Sequence, residues 1–142
     1  MWSESELNNV GLYTIVQDNS NYKEGSLYTN TEVSYAFADG KVTASYGAAT
    51  PKELEDVKSL KKAAIKSQAS GLLTPLDWHV IKATEVESYS VPEAITTYRA
   101  DVRSTSNTME TAIDNAADVD ALAALYVYTD GTRPLGEFPE EI

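Results

Sequence analysis

The side chains best suited to catalysis are scarce in this sequence. His79 is the only histidine, and the chain contains no cysteine. One histidine cannot build a multi-histidine metal site, and without cysteine there is neither a thiolate ligand nor a cysteine nucleophile. A Ser-His-Asp arrangement could use His79, but the Gly-x-Ser-x-Gly pattern of a strained nucleophile turn is missing. We therefore expect His79 to have a packing or surface role beside Trp78 and not to act as a catalyst.

Acidic side chains cluster at Asp114, Asp118 and Asp120, where calcium binding is one interpretation. A calcium loop needs oxygen ligands at fixed positions, a glycine at its sharp turn and a terminal glutamate, and none of these follows Asp120. Asp118 as a helix cap explains the cluster better. The seven glycines do not fall into a phosphate-cradling spacing. The sequence thus predicts no catalytic residue, no cofactor-binding residue and no metal site.

The charge balance argues against nucleic-acid binding. The chain has 11 Lys and Arg against 22 Asp and Glu, a formal net charge of −11, and such a chain repels phosphate backbones. Its one basic stretch comprises Lys58, Lys61, Lys62 and Lys66. These lysines follow acidic residues at positions 53, 55 and 56 on one predicted helix, which is the order that the helix dipole favours. We interpret the lysines as structural and expect no nucleic acid as a partner.

Membrane attachment and export are also not expected. The longest apolar run, Ala121–Tyr128, is far shorter than the roughly 20 residues of a membrane span. The first six residues have neither a basic region nor an apolar run, so they do not form a signal peptide. We expect a protein of the cytoplasm.

The first third of the chain has the pattern of β-structure. Residues 11–16 are rich in β-branched and aromatic side chains. Asp39-Gly40 is a preferred pair for a tight hairpin turn, and it predicts a hairpin over residues 33–46. On the two strands, larger apolar residues alternate with small or polar ones, and they are Val33, Tyr35 and Phe37 on the first and Val42, Ala44 and Tyr46 on the second.

After Gly47 the spacing of the apolar residues changes from that of a strand to that of a helix. Thr50-Pro51-Lys52-Glu53 has the form of a capping box and predicts a helix from about Pro51 to Ser70, with Gly71 as its stop. Ser90-Val91-Pro92-Glu93 is a second capping box that opens another helix. Residues 72–89 are then a connection, in which an extended stretch at 79–82 is one interpretation.

The second helix carries a seam of apolar residues. Steps of three and four alternate from Ile95 to Ala116, with Thr105 as the polar exception, and the seam spans three heptads. We interpret it as the face that packs on the first helix, because three heptads are marginal for a free coiled coil. An intermolecular coil, and hence a homo-oligomer, is the alternative.

The remaining signals complete an α+β fold. Asp118 caps a short third helix, and the residues after Asp130-Gly131 contain two prolines and a glycine, which predict a tail. The sequence thus predicts an N-terminal antiparallel β lobe at residues 1–47. An antiparallel helical pair with the short third helix follows at 50–128, and the tail covers 129–142.

Large aromatic residues concentrate in the β lobe and suggest a contact surface. Tyrosine combines an apolar ring with a polar tip and is common at protein interfaces. Ordinary packing within the lobe is the alternative, although a lobe of this size cannot hide seven large aromatics fully. The candidate partner-binding residues are Tyr13, Tyr35, Phe37 and Tyr46.

Two dipeptides lie near the junction of the main helices. Asp77-Trp78 is in the connection at 72–89, and Tyr98-Arg99 is on the helix that follows it. We expect Trp78 to pack in the crook between the helices while Asp77 pairs with Arg99 or Arg103. This would be a structural clasp and not a contact with a partner.

Three stretches of the chain contain short motifs that occur together, in this order, in one group of known proteins. The first has Trp2, Glu6-Leu7 and the strand residues 10–13. The second runs from Ala69 through Leu72-Leu73 to Asp77-Trp78 and continues in Tyr98-Arg99 and Arg103. The third is Arg133-Pro134-Leu135-Gly136-Glu137-Phe138-Pro139. Together they resemble small proteins of tailed bacteriophages, the tail fibre assembly proteins or tail assembly chaperones.

This resemblance implies a function in phage assembly. It implies no enzyme and no cofactor, and a tail-fibre or baseplate protein as the partner. The chain would bind that protein in the host cytoplasm and assist its folding, assembly or attachment. The alternative is a structural fibre or baseplate subunit that stays in the virion tail.

Overall fold

The computed structural model describes residues 1–142, which form two compact units. The N-terminal unit is Met1–Lys52 and the helical unit is Glu53–Ile142. The predicted α+β class, with a β-rich first part followed by helices, is confirmed. The segment predicted as a separate tail belongs to the helical unit, because Leu135 is buried and its amide donates to the carbonyl of Leu125 at 3.0 Å.

The N-terminal unit contains a short helix and five strands. Helix α1 spans Glu4–Asn9, and the strands are β1 Ile15–Asp18, β2 Tyr28–Thr29, β3 Val33–Ala38, β4 Lys41–Tyr46 and β5 Thr50–Pro51. Three strands form a sheet of order β1-β4-β3, and β2 pairs with β5 in a second, two-stranded sheet. Helix α1 begins at a complete capping box, in which the Ser3 hydroxyl accepts from the amide of Glu6 and the Glu6 carboxylate accepts from the amide of Ser3.

The predicted hairpin is confirmed. Strands β3 and β4 pair antiparallel from Val33 opposite Tyr46 to Ala38 opposite Lys41. Asp39 and Gly40 both have positive φ, 51° and 70°, as a primed two-residue turn requires. The turn residues therefore fix the register that the alternation of side chains predicted.

The sheet, however, is not wholly antiparallel. Strand β1 pairs parallel to β4, with Ile15 opposite Val42 and Asp18 opposite Ser45. The 22 residues between β1 and β4 include β3 and give the chain enough length for the return that a parallel pair needs. The strand predicted at 11–16 begins only at Ile15, since α1 is followed by Gly11 at φ 80°.

The helical unit is built on a long antiparallel pair. Its helices are α2 Leu54–Leu73, α3 Asp77–Glu85, α4 Glu93–Asp114 and α5 Val119–Ala124, with a 3-10 turn at Thr74–Leu76. Lys58 near the start of α2 donates to the carbonyl of Asp114 at the end of α4, and Arg99 near the start of α4 donates to the carbonyl of Leu73 at the end of α2. The Asp118 carboxylate caps α5 by accepting from the amide of Ala121 at 2.7 Å. The predicted helical pair and capped third helix are thus confirmed.

The core of this unit lies between α2 and α4. The seam of α4 is buried at Tyr98, Val102 and Met109, and Ile113 is buried beside it, which confirms the interpretation of the seam as a core face. Ile95 and Thr105 are only partly buried, and Ser106 is buried beside the seam. The buried side chains that complete the core are Val57, Ile65, Ala69, Ala116, Val119, Leu122 and Leu135.

Both capping boxes predicted for the long helices were wrong. Thr50 and Pro51 form β5 and pair with Thr29 and Tyr28, so α2 begins only at Leu54. Helix α4 begins at Glu93, with Pro92 at its N-cap. Neither N-cap residue makes a side-chain bond to the helix. Helix α2 thus starts three residues later than the pattern indicated and α4 two residues later, so Glu53 is the N-cap residue of α2 and Glu93 is the first residue of α4.

The predicted connection at 72–89 was also wrong. Helix α2 passes through Gly71, whose φ is not positive, and ends at Leu73. The 3-10 turn and α3 follow, so His79–Lys82 is helical and not extended. Pro75 lies in the first turn of the 3-10 helix, a position where its missing N–H has no helical partner to lose.

Candidate protein-binding surface

One face of the three-stranded sheet is apolar and rich in aromatic rings. Alternation along β3 places Val33, Tyr35 and Phe37 on the same face, and the pairing adds residues of β4 and β1 to it. Phe37 lies opposite Val42, which lies opposite Ile15 in turn. We call the surface formed by Tyr13, Ile15, Tyr22, Tyr35, Phe37 and Tyr46 the aromatic sheet face.

Most of this face is open to solvent. Tyr35 is 68% exposed, and Phe37 and Ile15 are each 61% exposed. Beneath them, Ala44 is buried, so a small side chain at the centre supports the large rings around it. Contiguous apolar surface of this kind is uncommon on a monomer and marks interaction sites.

Ring contacts hold the aromatic side chains in place. The rings of Tyr13 and Phe37 meet edge-on with centroids 4.6 Å apart, and those of Tyr22 and Tyr46 are tilted at 5.1 Å. Such pairs contribute about 0.5–1.5 kcal/mol beyond the burial of area. They also restrict the rings, which lowers the entropy lost when a partner covers them.

The structure brings the four candidate partner-binding residues into this one surface. Tyr13, Tyr35 and Phe37 are exposed, and the half-buried Tyr46 supports the ring of Tyr22. Ile15 and Tyr22 also belong to the surface, although neither was among the predicted partner-binding residues. Ile15 joins it only through the parallel pairing of β1, for which the sequence carries no local signal.

The ionic half of the predicted clasp is present in the helical unit. Arg99 Nη1 lies 2.8 Å from Asp77 Oδ1 and donates to the carbonyl of Leu73 at 3.0 Å. Arg103 is not the partner of Asp77, and its Nη1 donates instead to the carbonyl of Arg99 at 3.4 Å. This arrangement fixes the end of α2 and the start of α3 to α4.

Tyr98 lies in the core beside this ion pair. It packs with Ala69 and Val102, and Phe138 lies against the same cluster. Its hydroxyl is buried without a hydrogen-bond partner. Burial raises the pKa of the Tyr98 phenol above its usual value, and the nearby Glu141 carboxylate adds to the shift.

Trp78 does not fill the crook between the helices. It is 52% exposed, and α3 has no buried residue at all. Its ring stacks on His79 at 3.7 Å between centroids, and His79 Nδ1 hydrogen-bonds to the hydroxyl of Tyr89. Lys82 Nζ lies 4.4 Å from the centre of the Tyr89 ring. His79 thus packs beside Trp78 as expected, but in a small cluster at the surface.

The basic stretch of α2 is used inside the helical unit. Lys62 Nζ lies 2.6 Å from Asp114 Oδ1, and this bond raises the pKa of the Lys62 ammonium. Lys58 donates to the carbonyl of Asp114 at 3.0 Å, and Lys66 pairs with Glu110 at 3.3 Å. A phosphate would have to compete with these partners, which favours the structural interpretation of the lysines.

Other kinds of site find little support in the arrangement of side chains. No three His, Asp or Glu residues come together where they could hold a metal ion. Asp118, the centre of the acidic cluster, is engaged as the cap of α5. None of the helices combines the length and the apolar character needed to cross a membrane.

Comparisons with known proteins assign no family. A scan against protein-family models, a search of curated proteins and a search of solved structures each gave no match.

Proposed function

We propose that this chain is a non-enzymatic binding protein that holds a partner chain on the aromatic sheet face. We propose further that the partner is a phage tail-fibre or other tail protein, whose folding, assembly or attachment it assists. The observation that carries the proposal is the exposure of Tyr35 and Phe37 beside Tyr13 and Ile15 on one ordered face.

The chemistry of this face suits binding to protein. Covering apolar area contributes roughly 25 cal/mol per Å². Tyrosine rings offer large contact area with few rotatable bonds, and they are common among residues that dominate interface energy. The rings of Tyr13 and Phe37 already pack together, so a partner would meet a surface that needs little rearrangement.

A fibre protein is a suitable partner on physical grounds. Long β-rich chains form non-local contacts slowly and expose apolar segments and strand edges while they fold. A helper must cover such segments and stay soluble, and the net charge of −11 favours solubility. The three stretches that resemble tail fibre assembly proteins support the same choice.

The proposal is tested by capture of the partner. The tagged chain is co-expressed with a candidate tail-fibre protein, and the captured material is identified by mass spectrometry. We expect the fibre protein to be captured by the wild-type chain and to be lost with a Tyr35→Ser and Phe37→Ser double variant. Leu60→Ser, which removes an apolar side chain of equal exposure from α2, is the matched control.

Purified particles distinguish a helper from a subunit. A helper is absent from them, whereas a structural subunit is present at fixed copy number. Capture of the fibre that the double variant leaves unchanged would contradict the use of the aromatic sheet face.

A further inference from the structure

Strand β3 has an open edge without the usual protection. It lies at the end of the order β1-β4-β3, so one side of Val33–Ala38 pairs with β4 and the other with no strand. Edge strands are normally protected by a charged residue, a proline or a bulge. The six residues of β3 contain no charge, no proline and no glycine, and their six pairs with β4 run without a bulge.

The turn fixes which backbone groups point outward. A two-residue hairpin turn is closed by a hydrogen-bonded pair, here Ala38 and Lys41. Because bonding alternates along the ladder, the N–H and C=O groups of Val33, Tyr35 and Phe37 point away from β4. No backbone hydrogen bond joins these groups to another segment. The residues of the aromatic sheet face are thus also those with free backbone groups.

Two carboxylates lie at the ends of this edge. Glu32 directly precedes β3 and Asp39 directly follows it, and both are exposed. Neither forms an ion pair within the chain. The six residues of β3 lie between them, so the two carboxylate-bearing residues are about 23 Å apart. The edge therefore presents an uncharged central stretch with a negative charge at each end.

We propose that the edge of β3 binds an extended segment of the partner as an added antiparallel strand. The segment has apolar residues at alternate positions and a basic residue at each end, seven positions apart. Main-chain bonds to Val33, Tyr35 and Phe37 would supply affinity, and the basic ends would pair with Glu32 and Asp39. This inference rests on the proposed function, since it names the chemistry that the same sheet recognises in its partner.

Charge favours a partner of this kind over a second copy of the chain. Two copies would each bring a net charge of −11. The β3 edge of a second copy ends in the same two acidic residues and offers no basic ends. A partner segment with basic ends replaces this repulsion with attraction.

A short peptide reproduces the proposed segment. In the peptide KTVTVTVK, antiparallel pairing places the first lysine opposite Asp39 and the last opposite Glu32. The three valines then lie opposite Phe37, Tyr35 and Val33, on the aromatic sheet face. The peptide ETVTVTVE has the same strand pattern with reversed ends and is the matched control.

Fluorescence anisotropy of the labelled peptides on the full chain tests the pairing. We expect the lysine peptide to bind at least ten-fold more tightly than the glutamate peptide. A Glu32→Gln and Asp39→Asn double variant should remove that preference, and asparagine retains the left-handed turn conformation that Asp39 has at φ 51°. Main-chain pairing has its own control. N-methylation of the fifth residue, whose N–H faces β3, should abolish binding, whereas N-methylation of the fourth, whose N–H faces away, should not.

Three results would overturn the inference. They are equal affinity for both peptides, equal effects of the two N-methyl groups, and a dimer of the wild-type chain in which the amides of Val33, Tyr35 and Phe37 are protected from hydrogen exchange. The last would identify a second copy as the occupant. Because the peptide is not taken from a fibre, its failure leaves a positive fibre capture standing. Peptide binding without fibre capture would contradict only the choice of the fibre.

Discussion

The ring of Phe37 packs edge-on against the ring of Tyr13, yet 61% of Phe37 remains exposed. The first residue lies on the hairpin and the second precedes β1, so the contact links two strands that are not neighbours in the sheet. An aromatic pair that is ordered by its own contact and still open to water has the properties of a preformed binding surface. The proposed function depends on this surface.

A substitution at Gly71 tests whether α2 continues through this residue, where the sequence pattern predicted the end of the helix. Its φ is not positive, and a Cβ at this position would meet no atom within 4 Å. We expect Gly71→Ala to stabilise the chain by about 0.5–1 kcal/mol, because alanine loses less backbone entropy in a helix. Gly131→Ala is the matched control, since it has the same open space but a φ of 79°, and it should destabilise. Urea denaturation measures both, and a loss of stability in Gly71→Ala would contradict a helical Gly71.

Trp78→Ala should have a small effect on folding. Trp78 is half exposed, and the main contacts that the substitution removes are the stacking on His79 and the contact with Lys82. We expect a cost below about 1.5 kcal/mol, against about 2–5 kcal/mol for Met109→Ala in the core. Thermal and urea unfolding of the two variants compare these values. A Trp78→Ala cost as large as that of Met109→Ala would place the tryptophan in the core after all.

Tyr98→Phe should preserve or raise stability at neutral pH. The hydroxyl that it removes is buried without a partner, and such a group costs about 1–3 kcal/mol. At alkaline pH the folded chain keeps the Tyr98 proton longer than the unfolded chain does, because burial raises the folded pKa above the usual value of 10.0. Wild-type stability should therefore begin to fall as the pH rises through about 10, and Tyr98→Phe should lose less.

The free energy of unfolding of the wild type and of Tyr98→Phe, measured from pH 7 to 11, shows whether the variant loses less stability at alkaline pH. Tyr35→Phe, which removes an exposed hydroxyl, is the control. A neutral-pH loss of several kcal/mol in Tyr98→Phe would mean that the hydroxyl has a hydrogen-bond partner.

The two residues of the Asp77–Arg99 ion pair should contribute unequally to the stability of the fold. The Arg99 side chain is 10% exposed and also donates to Leu73, whereas Asp77 is 52% exposed. We expect Arg99→Met to cost about 1–3 kcal/mol, because the carbonyl of Leu73 loses its donor. Asp77→Asn should cost less than about 1 kcal/mol and depend on salt. Equal costs for the two variants would show that the pair itself, and not the bond to Leu73, fixes the end of α2.

The parts of the fold that the sequence predicted are those with local signals. Asp39-Gly40 determines a turn through its own backbone preferences, and alternation then sets the register of β3 and β4. The seam of α4 and the cap at Asp118 are equally local. The parallel pair of β1 and β4 joins residues 27 positions apart, and no pattern within either strand specifies it.

The errors in the predicted helices and their connection have a similar cause. Thr50 and Pro51 match a capping box, but their pairing with β2 takes them into a strand. Asp77-Trp78 predicted a buried clasp, and the Asp77 half was right because the Arg99 guanidinium, which is only 10% exposed, needs a partner. The exposure of Trp78 depends on where α3 leaves the pair of long helices, which neither dipeptide encodes.

The yield of soluble fibre trimer on co-expression tests the central claim most directly. It is measured without the chain, with the wild type, with the Tyr35→Ser and Phe37→Ser double variant, and with Leu60→Ser. We predict that the wild type and Leu60→Ser raise the yield equally, while the double variant folds normally and raises it no more than an empty vector. Equal help from the double variant, or a fibre that folds as well alone, would contradict the account.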